Sequence, residues 1–240
     1  MSTAGFARRD TALRELMDDP ACDATRLRRT LERFAVVNRL VSGWGGVYRE
    51  HIRPLARRRA ADGTPLRILD IGCGGGDVLE RLIALARADG AEVDAVGIDP
   101  DARSLAVALA RPGHRADYRR AHSSDLVAEL ATGAARFDVV ISNHVLHHLD
   151  DAALATVLRD SDALARSLVV HSDIARSPVA YAAYAVGITP LAPGSFLRTD
   201  GLRSIRRSWT PRELAPALPA GWQVLRPGRF RLLAVRGERP

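Results

Sequence analysis

Lysine is missing from this 240-residue chain: all 35 of its basic side chains are arginine, against 28 acids, for a formal charge of +7. That absence excludes Schiff-base chemistry on a lysine amine and a phosphate loop built on lysine. Cysteine is nearly missing too. Cys22 and Cys73 are the only two, and neither sits in a CxxC or metal-ligand pair, so a disulfide framework is excluded and a reducing compartment fits. No apolar run approaches the roughly 18 residues that suggest a membrane span. The start, Met1 to Asp10, turns polar before the apolar region of a signal peptide could form. A cytoplasmic protein with no integral membrane segment is the expectation.

What is present is a globular composition, 47% hydrophobic and 26% charged, unlike disordered or fibrous chains. The length suits one sizeable domain with a small cap. An excess of cations raises nucleic acid as a partner. The arginines are scattered, however, with dense clusters only at Arg57–Arg59, Arg119–Arg120 and Arg203–Arg207. A basic outer surface is therefore expected, and no nucleic-acid partner.

Residues 1–63 read as a helical lid. Asp23 can cap a helix in which Leu27, Leu31, Phe34 and Val37 recur on one face. Gly43 to Gly46 breaks it, a second amphipathic stretch with Tyr48 and Ile52 follows, Pro54 bends or delimits that stretch, and Arg57 to Gly63 reads as a solvated linker. From residue 64 to 240 the pattern changes to apolar runs alternating with helical stretches. Leu66–Ile71, Val93–Ile98, Ala116–Arg120, Phe137–Ser142 and Ser167–His171 are the strand candidates, which implies parallel pairing in an open α/β sheet. Within this domain, residues 176–209 read as a cap insertion: helical over Ser177–Gly187, irregular over Ile188–Arg207. Thr210-Pro211 opens a capped helix. The final candidates, Trp222–Leu225 and Phe230–Val235, are too closely joined for anything but an antiparallel hairpin.

The strongest chemical signal is Asp70-Ile71-Gly72-Cys73-Gly74-Gly75-Gly76-Asp77, between a strand and a helix. The dinucleotide fingerprint fails there, because Asp77 stands where its last glycine belongs. Asp70, two residues ahead of the first glycine, would repel a pyrophosphate but suits a cationic amino-acid group. The charge therefore favours a zwitterionic, sulfonium-bearing ligand over NAD. Asp99-Pro100 ends the next strand, where an acid can accept hydrogen bonds from both hydroxyls of a ribose.

These segments resemble the class I S-adenosylmethionine-dependent methyltransferases at four successive motif positions. The resemblance implies a Rossmann-like, doubly wound, mostly parallel sheet of seven strands with the last antiparallel, an N-terminal helical lid and a cap after the fifth strand. It implies S-adenosyl-L-methionine as cofactor, with Asp70, Gly72, Gly74 and Gly76 lining its methionine end. Asp99 and Pro100 would serve the ribose, Ser124 and Asp125 the adenine, and Asn143 would lie beside the sulfonium.

The acceptor belongs over the carboxyl ends of the strands, beside Asn143 to Asp150 and His171 to Asp173. A phenol of pKa about 10 needs a base at neutral pH, and histidine at about 6.5 can serve. The Leu-His-His pair, with an acid closing the following strand, resembles small-molecule O-methyltransferases of bacterial specialised metabolism. That resemblance implies His147, His148 and Asp173 as base and partner. His144, Trp44, Tyr48 and Arg198 are candidates for contacting the acceptor. A metal at the i, i+3, i+4 histidines is the less simple reading, and none is expected. The expected reaction is O-methylation of a phenolic, quinol-like or polyketide molecule. Carbon methylation of an activated ring is the alternative, ahead of an NAD-dependent oxidoreductase or a nucleic-acid-modifying protein.

Overall fold

Aliphatic and β-branched runs form the strands close to where their pattern predicts them. They are β1 (Leu66–Ile71), β2 (Val93–Asp99), β3 (Asp117–Arg120), β4 (Phe137–Asn143), β5 (Ala165–Ile174), β6 (Trp222–Gly228) and β7 (Arg231–Gly237). The computed structural model describes residues 3–237. One seven-stranded sheet has the order β3-β2-β1-β4-β5-β7-β6, with β7 antiparallel to both neighbours and β1–β5 mutually parallel. The expected α/β fold and terminal hairpin are thus present. The pairing register aligns one edge of the sheet. Asn143 lies opposite Ser172, and Ile174 opposite Arg231, so the ends of β4 and β5 and the start of β7 come together there.

Helices cover both faces. The chain runs through α1 (Ala24–Val41), α2 (Trp44–Val47), α3 (Arg53–Ala61), α4 (Asp77–Ala88), α5 (Ala102–Leu109), α6 (Ser123–Ala131), α7 (Asp151–Leu164), α8 (Pro178–Gly187), α9 (Leu197–Arg207) and α10 (Pro211–Leu214). Trp44, Val47, Tyr48, Ile52 and Ala56 share one core with Ile68, Leu79, Leu82 and Val139, so residues 44–61 pack onto the sheet. Leu154, Leu158, Trp209 and Leu214 fill the opposite face with Leu69, Val140 and Val169. A third, smaller cluster joins Leu27 and Leu31 of α1 to Phe196.

Pro54 delimits its stretch as expected: a π-helical turn over Tyr48–Ile52 ends before it, and Pro54 enters in the first turn of α3, where its missing N–H is not needed. Two local expectations change. The expected linker from Arg57 is helical to Ala61, and its arginines are engaged, Arg57 with Asp89 and Arg59 with Asp138. The stretch Ile188–Arg207 is not irregular either, because it contains α9. Gly201 lets the Tyr184 ring pack against the α9 backbone, where a Cβ would collide.

Candidate active site

The turn after β1 is held from below by Ile98, whose carbonyl accepts the N–H groups of Gly72 and Cys73 at 2.8 and 3.0 Å. Gly72 has φ +70°, and a Cβ there would stand 2.6 Å from a Val145 methyl, so the loop after β4 can close against it only with glycine present. Gly76 meets a different demand: the Tyr118 ring packs where its Cβ would be. Its requirement is thus already met by core packing. Leu31 of α1 lies over Gly74 and Gly75, so the lid helix covers the turn directly.

Asp70 is 1% exposed, and its Oδ1 has no hydrogen-bond partner. Burial, reinforced by Asp77 and Asp99, pushes its carboxyl well above the usual range. Burial also raises Asp77 and Asp99. A buried, unpartnered acid is costly in isolation. Beside Asp77 and Asp99, which have partners of their own, it forms an acidic cluster that a ligand with ammonium and sulfonium groups would relieve. Asp99 also holds the turn, accepting the Gly74 N–H through Oδ2 and the Asp101 N–H through Oδ1, both at 2.9 Å. Each oxygen keeps a second acceptor site for a ribose hydroxyl. Pro100 adjoins it and accepts from Arg120 through its carbonyl. Asp125 is engaged at the start of α6, accepting the His122 N–H at 2.8 Å in a capping box, with Ser124 beside it in the exposed first turn.

At the end of β4 the chain makes a strained turn. His144 has φ +62°, unusual for a residue with a side chain, and its N–H donates to the Ser172 carbonyl at 2.8 Å. Its Nε2 accepts from Arg231 Nη1 at 2.9 Å. Burial and this guanidinium lower the His144 pKa to about 3, so the ring is neutral. Arg231 also donates to Asn143 Oδ1 at 2.9 Å and to Ser172. Burial in turn brings the Arg231 pKa down to about 10. Sequence reasoning missed this arginine, which lies more than eighty residues away and carries no local signal.

His147 and His148 follow in a 3-10 turn, Leu146–His148. His147 is 2% exposed and lies between two carboxylates. Asp173 Oδ1 accepts from its Nδ1 at 2.7 Å, while Glu15 Oε1 stands 3.2 Å from its Nε2 without hydrogen-bond alignment. Burial opposes the charge on this ring, but Asp173 and Glu15 outweigh it and raise its pKa to about 10. His147, His148 and Ser204 bring Glu15 down to about 2 against its own burial. His148 is different: its side chain is 29% exposed, and Asp18 Oδ2 lies 3.2 Å from Nδ1. Glu15, His147 and His148 bring three ligand-type atoms within 4.8 Å of one another, which is where a metal could be held.

The cap and the N-terminal segment pin this turn by its carbonyls. Trp209 Nε1 donates to Leu146 at 3.2 Å, Arg9 to His147 and Leu149 at 3.4 and 3.3 Å, and Arg207 to His148 at 3.3 Å. Of these donors, Arg9 is the one that the sequence did not reveal.

Three acceptor-side expectations fall elsewhere. Tyr48 donates to Asp89 at 2.8 Å and to the Leu85 carbonyl, at the far end of α4. Twelve residues of helix put that about 15 Å from the glycine turn, so Tyr48 is a core residue and not a pocket wall. Trp44 is fully buried and donates to Asn143 Oδ1 at 3.0 Å, which makes it a support for Asn143. Arg198 is turned to the end of α8, where it donates to the carbonyl of Ala185. It does not join the histidines.

Residues 44–217 match the model of the methyltransferase domain. The chain belongs to that methyltransferase family. The methyl donor of the family is S-adenosylmethionine. The plantazolicin methyltransferase BpumL, solved with a triazolic desmethylPZN analog and SAH, shares the fold: TM-score 0.53, 15% identity, 90% of this chain and 97% of that one. Among curated relatives, the ubiquinone biosynthesis O-methyltransferase of Methylocella silvestris is 36% identical over 163 residues, 65% of this chain and 57% of that protein. Its counterpart in Azorhizobium caulinodans is 40% identical over 92 residues, 37% of this chain and 32% of that protein. The methyltransferase described here thus spans only about a third to three fifths of the length of these relatives. No helix among its described residues is long and apolar enough to cross a membrane.

Proposed function

We propose that the protein methylates a hydroxyl of a phenolic or quinol-like small molecule, using S-adenosylmethionine. The observation that carries this reading is a pair of carboxylate-partnered histidines at the carboxyl edge of the sheet, in the loop that closes on the cofactor turn through Val145 and Gly72. The names of the curated relatives, ubiquinone biosynthesis O-methyltransferases, support the acceptor class.

Bound S-adenosylmethionine supplies a methyl carbon activated by a sulfonium. The chain's groups align the acceptor and manage one proton. His147 is charged and closed in, so it suits electrostatic support of a developing phenolate. His148 keeps Nε2 at 3.7 Å from Glu15, outside hydrogen-bond reach, and its Nδ1 against Asp18. It is the better base. The acceptor hydroxyl would give its proton to His148 Nε2 as its oxygen bonds the methyl carbon and the carbon–sulfur bond breaks, leaving a neutral thioether.

The test is incubation with methyl-deuterated S-adenosylmethionine and a panel of catechols, resorcinols and hydroquinones, with products read by mass spectrometry and NMR. A labelled methyl ether supports the reading. A labelled methyl on ring carbon, or turnover confined to other acceptor classes, overturns it.

A further inference from the structure

Both carboxylates that face the two histidines, apart from Asp173, come from one short stretch near the N-terminus. Glu15 and Asp18 lie on the segment Leu13–Asp19, more than 125 residues from His147, and this strap is docked firmly. Asp200 of α9 accepts the backbone N–H groups of Leu16 and Met17 at 2.9 and 3.0 Å. Ser204 donates to Glu15 at 2.6 Å, and Arg203 donates to the Arg14 carbonyl at 2.5 Å. On the other side Arg103 donates to the carbonyls of Asp19 and Met17 at 3.0 and 3.2 Å. The strap therefore bridges the cap helix α9 and the start of α5, the helix that follows Asp99.

Packing alone does not call for what the strap carries. Glu15 is 5% exposed, and an acid buried that far is tolerated only when something pairs with it. Its pair is the imidazole of His147, supplemented by Ser204. Asp18 sits against the Nδ1 of His148, which leaves Nε2 as the lone-pair nitrogen in the neutral ring. Asp18 is itself steadied by Arg207 at 3.6 Å, the residue that also holds the His148 carbonyl. We propose that the strap completes the active site, with Asp18 and Glu15 acting as positioning residues for His148 and His147. The site is then assembled from three distant parts of the chain, and docking the strap on α9 finishes it.

This inference rests on the reading of His148 as base. The charged and titratable groups facing that ring are Asp18 and Glu15 from the strap, His147 beside it at 4.3 Å between ring centroids, Arg207 from α9, and Asp99 across the cofactor turn. The test compares Asp18→Asn, Asp18→Glu, Glu15→Gln and His148→Ala with the wild type. It reads kcat and KM separately on whichever catechol the panel shows to be turned over, SAH affinity by calorimetry, and histidine tautomers by long-range proton–nitrogen NMR without any acceptor. The expected result for Asp18→Asn is a loss of about tenfold or more in kcat, part of the range that general-base catalysis supplies, with SAH affinity within about twofold of wild type. His148 should shift from the Nδ1–H tautomer toward Nε2–H, and Asp18→Glu should restore both readouts. Wild-type kcat and tautomer in Asp18→Asn and Glu15→Gln would overturn the proposal and leave the strap a packing element. Full turnover in His148→Ala would instead overturn the base assignment. The tautomer spectrum decides the role of Asp18 even if no catechol reacts.

Discussion

Asp173 holds His147 twice: its Oδ1 lies 2.7 Å from the ring Nδ1, and its Oδ2 accepts the backbone N–H of the same residue at 2.8 Å. One carboxylate at the end of β5 therefore fixes both the ring and the turn that carries it. The expected acid–histidine pair resolves onto His147, and His148, the next residue, points to the strap. Both rings face Glu15 Oε1, at 3.2 and 3.7 Å, but Asp173 pairs with His147 and Asp18 with His148, so the two rings have different surroundings.

His148→Ala is expected to lower kcat at neutral pH by about a hundredfold, the lower end of what a general base supplies, while SAH affinity stays within a few-fold. His147→Ala should act on stability as well, because Asp173 and Glu15 lose their shared cation. Steady-state kinetics beside thermal melts separate the two. Equal kinetic losses with unchanged melting would remove the distinction drawn between the rings.

Asp99→Ala removes the acceptor of the Gly74 and Asp101 N–H groups together with the oxygens proposed to hold the ribose. Saturable SAH binding by calorimetry should disappear. Retained affinity would show that the ribose lies elsewhere.

Asp70 must be ionised to pair with an ammonium, yet in the free protein its carboxyl is raised by burial and by Asp77 and Asp99. A raised folded-state pKa favours the fold most below the ordinary value of 3.8, and that contribution is lost as pH rises through the raised value. SAH affinity should run the other way, increasing with pH over that window and releasing protons on binding. Calorimetry in buffers of different ionisation enthalpy measures this. Asp70→Asn should weaken SAH and raise the melting temperature of the ligand-free protein at neutral pH.

Glu15→Gln breaks a buried ion pair, for a loss of about 3 kcal/mol. Glu15 is lowered from 4.5 to about 2, so its contribution is present above pH 4.5 and lost as pH falls through 2. His147 is raised from 6.5 to about 10, so its contribution is present below pH 6.5 and lost as pH rises through 10. The melting difference between wild type and variant should be largest between pH 4.5 and 6.5 and shrink on both sides. A difference independent of pH would contradict the charged pair.

Arg231→Met leaves Asn143, His144 and Ser172 without their shared donor in a buried place. Turnover should fall by about tenfold or more, with a smaller change in SAH affinity, since the groups released lie at the carboxyl edge of the sheet beside the histidines. Arg231→Lys should recover little, because a single ammonium cannot span three acceptors in the plane of a guanidinium.

The sequence alone determined the sheet, the hairpin, the glycine turn with Asp70 and Asp99, and the edge on which His147 and Asp173 meet. Those features follow from local periodicity, turn chemistry and the topological rule that places ligands at the carboxyl ends of parallel strands. Only the tertiary structure decided the remainder. It turned Tyr48 to the far end of α4, set Trp44 behind Asn143, directed Arg198 to the end of α8 and made a helix of 197–207 through the packing of Tyr184 on Gly201. It also brought Glu15, Asp18 and Arg231 to the histidines from opposite ends of the chain. Such residues are invisible to a local reading, because a buried charge is placed by whichever distant group neutralises it, and sequence spacing carries no record of that partner.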